Sequence, residues 1–546
     1  MESQTETFSK SDATVDVTQS NFESVLPDVL KHIANCDFIA FDLEFSGSGY
    51  KSYFRSVSLD TYETRYAKYR VDSENFYPIE LGICCFTWNE ELEKYQYRPF
   101  NFFITPYTPG KKCDPTMCIK ASTLDFLRAN DFKFGHLFSD GIPTLRKTDE
   151  ERLLNLQHMS EDRYDFKSDE EKEHFQAIVA KIDHWFRTMI ASSTTILRET
   201  NIPVTFSVPL QAMDPHMRKL VRQEIAKSYP MLSIKETIED NFDLRSSGTR
   251  ISRITLTRTS NLPLEKQLPE ICSHAGVRTV VEAILQSRKP LVGFQTMGDL
   301  AFMIGSIYKA LPRRLEGFFA LMKELHVLVD LKTILGLECL QDLNLKQKSL
   351  SEAFGRLKEM DCGEPSIVSE LAKEGGAAHD AAYDAFMTGE VFLKLFYRFG
   401  FARSHVEKLG DFADDWNSEG LEGDKQAFVG ALNQISMYKM TYDLPLRQDA
   451  YNNLINSHPE LHDRSRVLLV RDVDPWLKTS QFNKFFKKLL GTNDKIGIEW
   501  LDDFSFLVQF ATEEQAMRVL QKWEEEMSDR EDSSPSVKSR STLSRN

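Results

Sequence analysis

Two acidic residues interrupt an apolar stretch near the N-terminus, where residues 35–47 read NCDFIAFDLEFSG. Asp42 and Glu44 are two positions apart, and side chains two apart on a strand project from the same face of a sheet. Neighbouring carboxylates repel each other unless a positive group lies between them. Because divalent cations prefer carboxylate oxygens, the pair suggests a metal site, although a solvated strand end is the commoner explanation for such a pair taken alone.

Three further residues with suitable chemistry occur far along the chain. Asp299 follows the apolar segment KPLVGFQTMGDL, and the segment HDAAYDAF supplies His379 and Asp384. Asp384 has small and aromatic neighbours in an amphipathic helix, where a buried acid needs a partner. His379 lies five positions earlier, about 140° around a helix, so the two would not share a helical face. We therefore expect His379 to precede the helix and to reach a bound substrate from there.

Four acids and one histidine suit the hydrolysis of a phosphodiester with two metal ions. In that reaction one ion generates hydroxide from water and the other stabilises the leaving oxygen. A histidine, with an ordinary pKa of about 6.5, can take the proton from the attacking water. The candidate catalytic residues are therefore Asp42, Glu44, Asp299, His379 and Asp384.

Composition limits the class of protein. The chain has 546 residues, 41% of them hydrophobic and 27% charged, as in soluble globular proteins of about two to four domains. The net charge of −15 argues against nonspecific duplex binding but allows a local basic groove. The eight cysteines do not suggest a disulfide framework, and Cys113 and Cys118 lack the nearby histidines of a zinc site. No apolar run of membrane-spanning length and no secretory signal is evident, which predicts a cytoplasmic or nuclear protein.

The order of the predicted elements indicates an α/β fold. Strand-like segments at 37–45, 79–88 and 94–105 are followed, from about residue 272, by alternating strands and helices. This order predicts a mixed sheet flanked by helices. Residues 465–523 read β-α-β-β-α, which is the order of a small ferredoxin-like or RRM-type domain.

The five candidate residues, as Asp42-x-Glu44, Asp299 and His379-x4-Asp384, resemble the DEDDh 3′→5′ exonucleases. The surrounding sequence resembles one branch of them, the family of poly(A)-specific ribonuclease and the piRNA-trimming exonucleases. The resembling segments occur in the family's order and cover most of residues 20–150 and 275–400. They include ETRYAKY, LDFLRANDFKFGHLFSDGIPTL, KPLVGFQTMGDL, LVDLKTI, KSLSEAFGRLKE and HDAAYDAFMTGEVFL.

The resemblance implies a domain organisation. The nuclease domain would have an RNase H-like mixed sheet, interrupted by a small α/β domain that resembles the family's R-x-x-x-H domain. The Arg-x3-His signature itself is not found there, so a purely architectural or dimer-shaping role is equally plausible. The implied boundaries are a disordered N-terminus at 1–20, nuclease parts at 21–150 and 271–445, the inserted domain at 165–260, an RRM-like domain at 465–523 and a disordered tail at 524–546.

The resemblance also implies roles for single residues. The four acids would hold two Mg²⁺ ions and His379 would be the general base. Phe45, Phe126 and Lys332 match substrate-contacting positions, and Trp500 matches a tryptophan that can stack on an mRNA cap. A core position for Phe126, a solvated charge for Lys332 and a packing role for Trp500 are the competing interpretations. Trp476 is expected to be structural.

Several positions depart from the family pattern near the implied pocket for the RNA 3′ end. Phe294 and Gln295 replace the usual His-Asn, Gly298 replaces a bulky apolar residue, and Gln347 replaces an Asn. A usual Gln is Glu80 in this chain. The changes near the pocket leave the catalytic set intact but put a strict preference for adenine in doubt.

The sequence therefore predicts a Mg²⁺-dependent 3′→5′ exoribonuclease acting on single-stranded RNA 3′ ends. The substrate is either a poly(A) tail or a small-RNA precursor such as pre-piRNA. A catalytically silent RNA-binding scaffold is the alternative. A homodimer is expected from the family alone, and the expected location is the cytoplasm, including perinuclear RNA granules, or the nucleus.

Overall fold

The structure is a computed structural model, and it describes most of the chain. The described residues are 14–50, 55–107, 115–152, 166–192, 204–209, 214–228, 232–240, 250–258, 275–360, 379–414, 421–531 and 542–545. They form two compact units, one of residues Met1–Thr148 with Ala275–Asn546 and one of residues Asp149–His274. No helix in these ranges combines the length and apolar character needed to cross a bilayer.

The first unit begins with five strands and four helices. They are β1 (Val15–Val17), α1 (Phe22–Asn35), β2 (Phe38–Phe45), α2 (Tyr62–Asn75), β3 (Pro78–Asn89), β4 (Lys94–Pro106), α3 (Ala121–Ala129), α4 (Phe134–Asp140) and β5 (Ile142–Thr144). The three long strands match the segments predicted from their aromatic and β-branched residues.

The second unit is a small α/β body. Its elements are α5 (Asp169–Ser192), β6 (Val204–Pro209), α6 (Pro215–Ser228), β7 (Leu232–Asp240) and β8 (Arg250–Arg258). The strands form an antiparallel sheet in the order β6-β8-β7. Parts of the predicted insertion at 165–260 lie outside the described residues.

The first unit then resumes with short strands and many helices. They are α7 (Arg278–Ser287), β9 (Leu291–Gly293), α8 (Met297–Phe302), a π-helix (Met303–Tyr308), α9 (Leu315–Met322), β10 (Leu328–Asp330), α10 (Leu331–Ile334), a 3₁₀ helix (Glu338–Leu343), α11 (Leu350–Lys358), α12 (Ala381–Arg398), a 3₁₀ helix (Arg403–His405), α13 (Leu409–Asp414), α14 (Asp424–Gly430), β11 (Gln434–Ile435), β12 (Leu444–Pro445), α15 (Gln448–Ser457) and a 3₁₀ helix (Pro459–Leu461).

The central sheet is mixed, which confirms the predicted α/β class. Its strand order is β1-β4-β3-β2-β9-β10, with β5 beside β4. The pairs β2–β3 and β3–β4 are antiparallel, whereas β1–β4, β4–β5, β2–β9 and β9–β10 are parallel. Apolar clusters cover both faces, and alternate residues of β2 enter each of them.

The last part of the chain forms a four-stranded antiparallel sheet with two helices. Its elements are β13 (Val467–Arg471), α16 (Thr479–Leu490), β14 (Gly497–Trp500), β15 (Phe506–Gln509), α17 (Glu513–Glu531) and β16 (Thr542–Arg545), with the strand order β14-β15-β13-β16. We call residues 467–545 the C-terminal module.

Two segments predicted to be disordered contain regular structure. Val15–Val17 pairs with β4 as an added edge strand, although residues 1–13 lie outside the described part. In the tail, α17 continues to Glu531, and Thr542–Arg545 pairs with β13. Disorder was expected at both ends because their sequences are polar. Their strands are ordered by backbone pairing with strands that are far away in the sequence.

Candidate active site

Strand β2 presents two acids to one face of the sheet. Asp42 and Glu44 lie on the same side as Phe38 and Ala40, which enter the apolar cluster on the α12 face. The ring of Phe38 packs edge-on against Phe392 of α12, with 4.8 Å between ring centroids. The two carboxylates therefore point towards the layer that contains α12.

Helix α12 approaches the sheet closely because β3 has a glycine at the contact. Gly82 is the partner of Asp42 in the β2–β3 ladder. A Cβ at residue 82 would lie 2.0 Å from the backbone carbon and oxygen of Ala381, the first residue of α12. The absence of that Cβ allows the helix N-terminus to contact the strand, and Asp384 lies one turn into this helix.

His379 precedes α12, as expected. The helix begins at Ala381, and the side chain of its N-cap, Asp380, accepts a hydrogen bond from the Tyr383 amide. His379 has a left-handed backbone conformation, with φ of 75°, and its amide donates to Asp384 Oδ2 over 3.3 Å. This backbone conformation places the exposed imidazole of His379 beside the first turn of the helix.

Asp299 reaches the site from helix α8 and is only 7% exposed. The turn before this helix is held by the buried carboxylate of Asp330, which accepts hydrogen bonds from the amides of Gln295 (2.9 Å) and Thr296 (3.0 Å). Burial and then the charge of Asp330 raise the pKa of Asp299 well above its usual value, and a backbone hydrogen bond from Leu43, which lies between Asp42 and Glu44 on β2, opposes this rise. Asp299 therefore lies against the strand that carries the first two acids.

The electrostatics show that the four acids converge. Burial raises the pKa of Asp42 well above its usual value, and Asp299, Asp384 and Glu44 raise it further. Burial, followed by the charges of Glu80 and Asp384, raises the pKa of Glu44 to about 9. Burial also raises the pKa of Asp384 to about 7. Carboxyl groups with such raised pKa values need a cation or protons to stay together.

A fifth carboxyl group, Glu80, belongs to the same cluster. It is the cross-strand partner of Glu44 in the β2–β3 ladder, and burial raises its pKa to about 8. In the sequence, Glu80 is recognisable only as a departure from the family pattern. An acid inside the apolar segment PIELGICC was the available signal, but its position beside Glu44 depends on strand register.

The chemistry of the donor set fits a divalent cation. Ligand atoms of Glu44, His379 and Asp384 all lie within 4.8 Å of one another. Asp384 Oδ1 is buried and has no hydrogen-bond partner among the described residues. An unsatisfied buried carboxylate oxygen inside a group of acids is what a site for a hard cation provides.

Comparison with known protein families shows which family the chain belongs to. Residues 17–392 match the model of the CAF1 family ribonucleases, which is more than half of the chain. The chain belongs to this family. The predicted resemblance to poly(A)-specific ribonuclease and to the piRNA trimmers is therefore confirmed, and the protein is a ribonuclease of the CAF1 family.

Curated relatives of this CAF1-family ribonuclease agree with the match. Poly(A)-specific ribonuclease PARN of Xenopus laevis is 26% identical over 538 residues, covering 92% of this chain and 78% of the relative. The pre-piRNA 3′-exonuclease trimmer of Bombyx mori is 23% identical over 406 residues, covering 70% of this chain and 71% of that protein. Among solved structures, S. pombe Pop2p with Mg²⁺ and Mn²⁺ bound matches with a TM-score of 0.34 and 12% identity, covering 71% of this chain and 93% of that one.

Two of the predicted substrate-contacting residues lie beside the acids. The ring of Phe126 is 40% exposed and packs edge-on against the His379 imidazole, with 4.6 Å between centroids. Its exposure argues against a core position. Phe45 continues β2 beyond Glu44 and stacks on Phe302 at 4.2 Å, so its ring has a firm apolar support.

Lys332 lies in a different part of the unit, on the wall of a cleft of about 1140 Å³. Its ammonium group donates to the Lys348 carbonyl over 2.6 Å and lies 5.1 Å from the centre of the Phe294 ring. Gln295 and Gln347, two of the family departures, line the same cleft. The four acids are not among the cleft's described lining residues, although Gln295 is only four residues before Asp299 in the sequence.

The two tryptophans of the C-terminal module differ in their surroundings. Trp500 packs against Phe482 and Phe506 and donates its indole N–H to Thr479 Oγ1 over 2.8 Å. Trp476, expected to be structural, is 85% exposed. The competing interpretation of Trp500 as a packing residue therefore describes its surroundings better than an exposed stacking platform does.

Proposed function

We propose that the protein is a divalent-metal-dependent 3′→5′ exoribonuclease that shortens single-stranded RNA. The observation that carries this proposal is the convergence of four acids from β2, α8 and α12, with His379 at their edge. These are the residue types that metal-assisted phosphodiester hydrolysis needs.

In this proposal Asp42, Glu44, Asp299 and Asp384 hold two Mg²⁺ ions. Bound ions of this kind polarise phosphate oxygens and lower the pKa of a bound water. The protein contributes a set of carboxylates whose mutual repulsion is present before any cation binds. Cation binding removes that repulsion and must displace the protons that the raised pKa values retain.

His379 is the proposed proton acceptor. Its imidazole is exposed, so it can contact a substrate, while the hydrogen bond from its amide to Asp384 holds the backbone in place. An imidazole nitrogen takes a proton from the attacking water and returns it to solvent. Phe126, whose ring contacts this imidazole, is placed to support the terminal base.

The preferred substrate in this proposal is a poly(A) tail. The relatives named as poly(A)-specific ribonuclease PARN match 91–92% of the chain, whereas the pre-piRNA trimmer and the poly(A)-specific ribonuclease PNLDC1 match 70%. Trimming of small-RNA precursors is the second candidate, because Gln295 and Gln347 line the cleft where the family pattern has other residues.

We further propose that the second unit corresponds to the family's R-x-x-x-H-like domain and the C-terminal module to its RRM-like domain. The module's order β-α-β-β-α-β supports the latter. A homodimer and an mRNA cap as an additional ligand belong to the same proposal. For the cap, the exposed Trp476 is the better stacking surface.

The decisive experiment measures release of AMP from a 3′-labelled oligo(A) with Mg²⁺ and with EDTA. Wild type should release AMP only with the metal, and Asp42→Ala should be inactive while Glu91→Ala, at an exposed turn, keeps full activity. Equal behaviour of wild type and Asp42→Ala would favour the RNA-binding scaffold. Oligonucleotides with mixed-sequence or 2′-O-methylated ends then separate deadenylation from trimming, and we expect the methylated end to resist.

A further inference from the structure

The sheet of the C-terminal module has two different faces. Leu468 and Val470 of β13 and Val508 of β15 face the helices and form the module's own core. The alternate residues, Val467 and Leu469, project from the opposite side. We call that side the outer face; it also includes Leu507 of β15.

The outer face is covered by residues 55–60, which precede α2. Val57 and Leu59 of this segment form one buried apolar cluster with Val467, Leu469 and Leu507. All five side chains are at most 9% exposed. Between the two apolar residues, Ser58 donates its amide to Glu499 Oε2 of β14 over 2.6 Å, and its hydroxyl also donates to this carboxylate.

The covering segment is fixed to helix α2 by buried charges. The Asp60 carboxylate accepts hydrogen bonds from Arg65 Nε (2.9 Å) and from Lys68 Nζ (2.7 Å). Arg65 is fully buried and also donates from Nη2 to the Val57 carbonyl over 2.5 Å. Segment 55–60 and α2 therefore behave as one packed body, because breaking either contact leaves a buried charge without its partner.

The same helix holds the hairpin that lines the cleft. We call residues 434–445, with strands β11 and β12, the cleft hairpin. Arg65 Nη1 donates to the Tyr438 carbonyl, and the Tyr62 hydroxyl donates to the Tyr442 carbonyl over 3.0 Å. Lys439 donates from Nζ to the Ser56 carbonyl over 3.3 Å. The tip of the cleft hairpin is thus bound to α2 and to segment 55–60.

The base of the cleft hairpin is bound to the acid-bearing side of the site. The Ser436 amide donates to Asp330 Oδ2 over 3.2 Å. The same carboxylate holds the Gln295 and Thr296 amides that precede α8 and Asp299. A continuous series of contacts therefore runs from the outer face to the turn before Asp299.

We propose that the outer face of the C-terminal module is an internal docking surface. It holds segment 55–60 and, through α2, positions the cleft hairpin for RNA, so the module supports RNA turnover without offering this face to RNA. The part of the inference that concerns RNA rests on the proposed function. Sheets that bind single-stranded RNA present exposed aromatic rings for base stacking, whereas this face presents valine and leucine and is already covered.

Two substitutions on opposite sides of the contact test the proposal in the full chain. Leu59→Asp and Leu507→Asp each place a charge in the buried cluster, one on the segment and one on the sheet. Glu499→Gln is a milder variant that keeps the apolar contact and weakens only the Ser58 hydrogen bonds. The matched controls are Leu92→Asp in the β3–β4 turn and Leu477→Asp in the module, because both leucines are exposed.

The first readout is backbone hydrogen exchange, which requires no activity. Exchange in segment 55–60 and in the cleft hairpin should accelerate in both aspartate variants, less in Glu499→Gln, and not in the controls. The second readout is the KM for oligo(A). If the docked fraction falls to about one tenth, KM should rise about tenfold in both variants with kcat within about twofold of wild type.

The results that would overturn the proposal differ for each readout. Unchanged exchange in the cleft hairpin would show that docking does not position it. If the outer face binds RNA, Leu59→Asp should uncover it and lower KM, while Leu507→Asp should raise KM. A wild-type protein that releases no nucleotide would refute the proposed function, and the exchange measurement would still decide the docking.

Discussion

Replacing Glu44 by glutamine should stabilise the metal-free protein at alkaline pH. Glu44 is half-buried among acids, and its desolvation together with the charges of Glu80 and Asp384 raises its pKa from 4.5 to about 9. A carboxyl with a raised folded-state pKa contributes most to stability below its unfolded pKa. That contribution is lost as the pH rises from 4.5 towards about 9.

The size of the effect follows from the pKa difference. Between the unfolded pKa of 4.5 and the folded pKa of about 9, each pH unit lowers the free energy of unfolding by about 1.4 kcal/mol. At about pH 8 the folded state is therefore destabilised by on the order of 5 kcal/mol. Glutamine removes this cost but leaves a buried amide, whose desolvation costs about 1–3 kcal/mol. The expected net gain in the free energy of unfolding is therefore about 2–4 kcal/mol at that pH.

Urea unfolding in EDTA, followed by circular dichroism at several pH values, measures this gain. Near pH 5 Glu44→Gln should be less stable than wild type, because the cost of the amide exceeds the small cost of the carboxyl there, and the order should reverse towards about pH 8. Addition of Mg²⁺ should stabilise wild type more than the variant, because the variant has lost one ligand. The variant should also lose activity.

Glu91→Gln is the matched control, because it removes the charge of an exposed acid. Parallel stability curves for wild type and Glu44→Gln in EDTA would refute the reasoning. Such curves would mean that Glu44 is not held among the other acids in solution.

Three further outcomes are expected. His379→Ala should lower the kcat for AMP release from oligo(A) by about 10²–10⁴-fold, while the circular dichroism spectrum stays unchanged. Phe126→Ala should raise the KM for oligo(A) by about 5–100-fold, the range set by the loss of one base-stacking contact, with a smaller effect on kcat. Trp500→Ala should lower the melting temperature of the C-terminal module because it leaves a cavity, whereas Trp476→Ala should leave the melting temperature unchanged; equal shifts would contradict the packing described for the two residues.

The sequence predicts much of the fold because its long strands have clear patterns. β2, β3 and β4 and the helix after His379 were all expected within a few residues of their observed bounds. Their apolar side chains repeat with the period of the element, and that local signal suffices. The added strand at 15–17 and the last strand at 542–545 were missed because each is defined by a partner that is distant in the sequence.

In the candidate site, too, residues in recognisable segments were predicted, whereas those that depend on distant contacts were missed. The five residues that the resemblance singled out are brought together, since their positions are carried by recognisable segments. Glu80 was missed as a member of the cluster because only the β2–β3 register places it opposite Glu44. The packing of Trp500 against Phe482 and Phe506 and the exposure of Trp476 also depend on the three-dimensional structure, which neighbouring residues in the sequence do not encode.

Gly82 sets the dimensions of the acid cluster by direct contact between two backbones. Because the first residue of α12 rests on the strand without an intervening side chain, the gap between Asp42 and Asp384 is fixed by peptide geometry. Even the methyl group of an alanine at residue 82 would therefore push the start of α12 off the strand and separate the two acids.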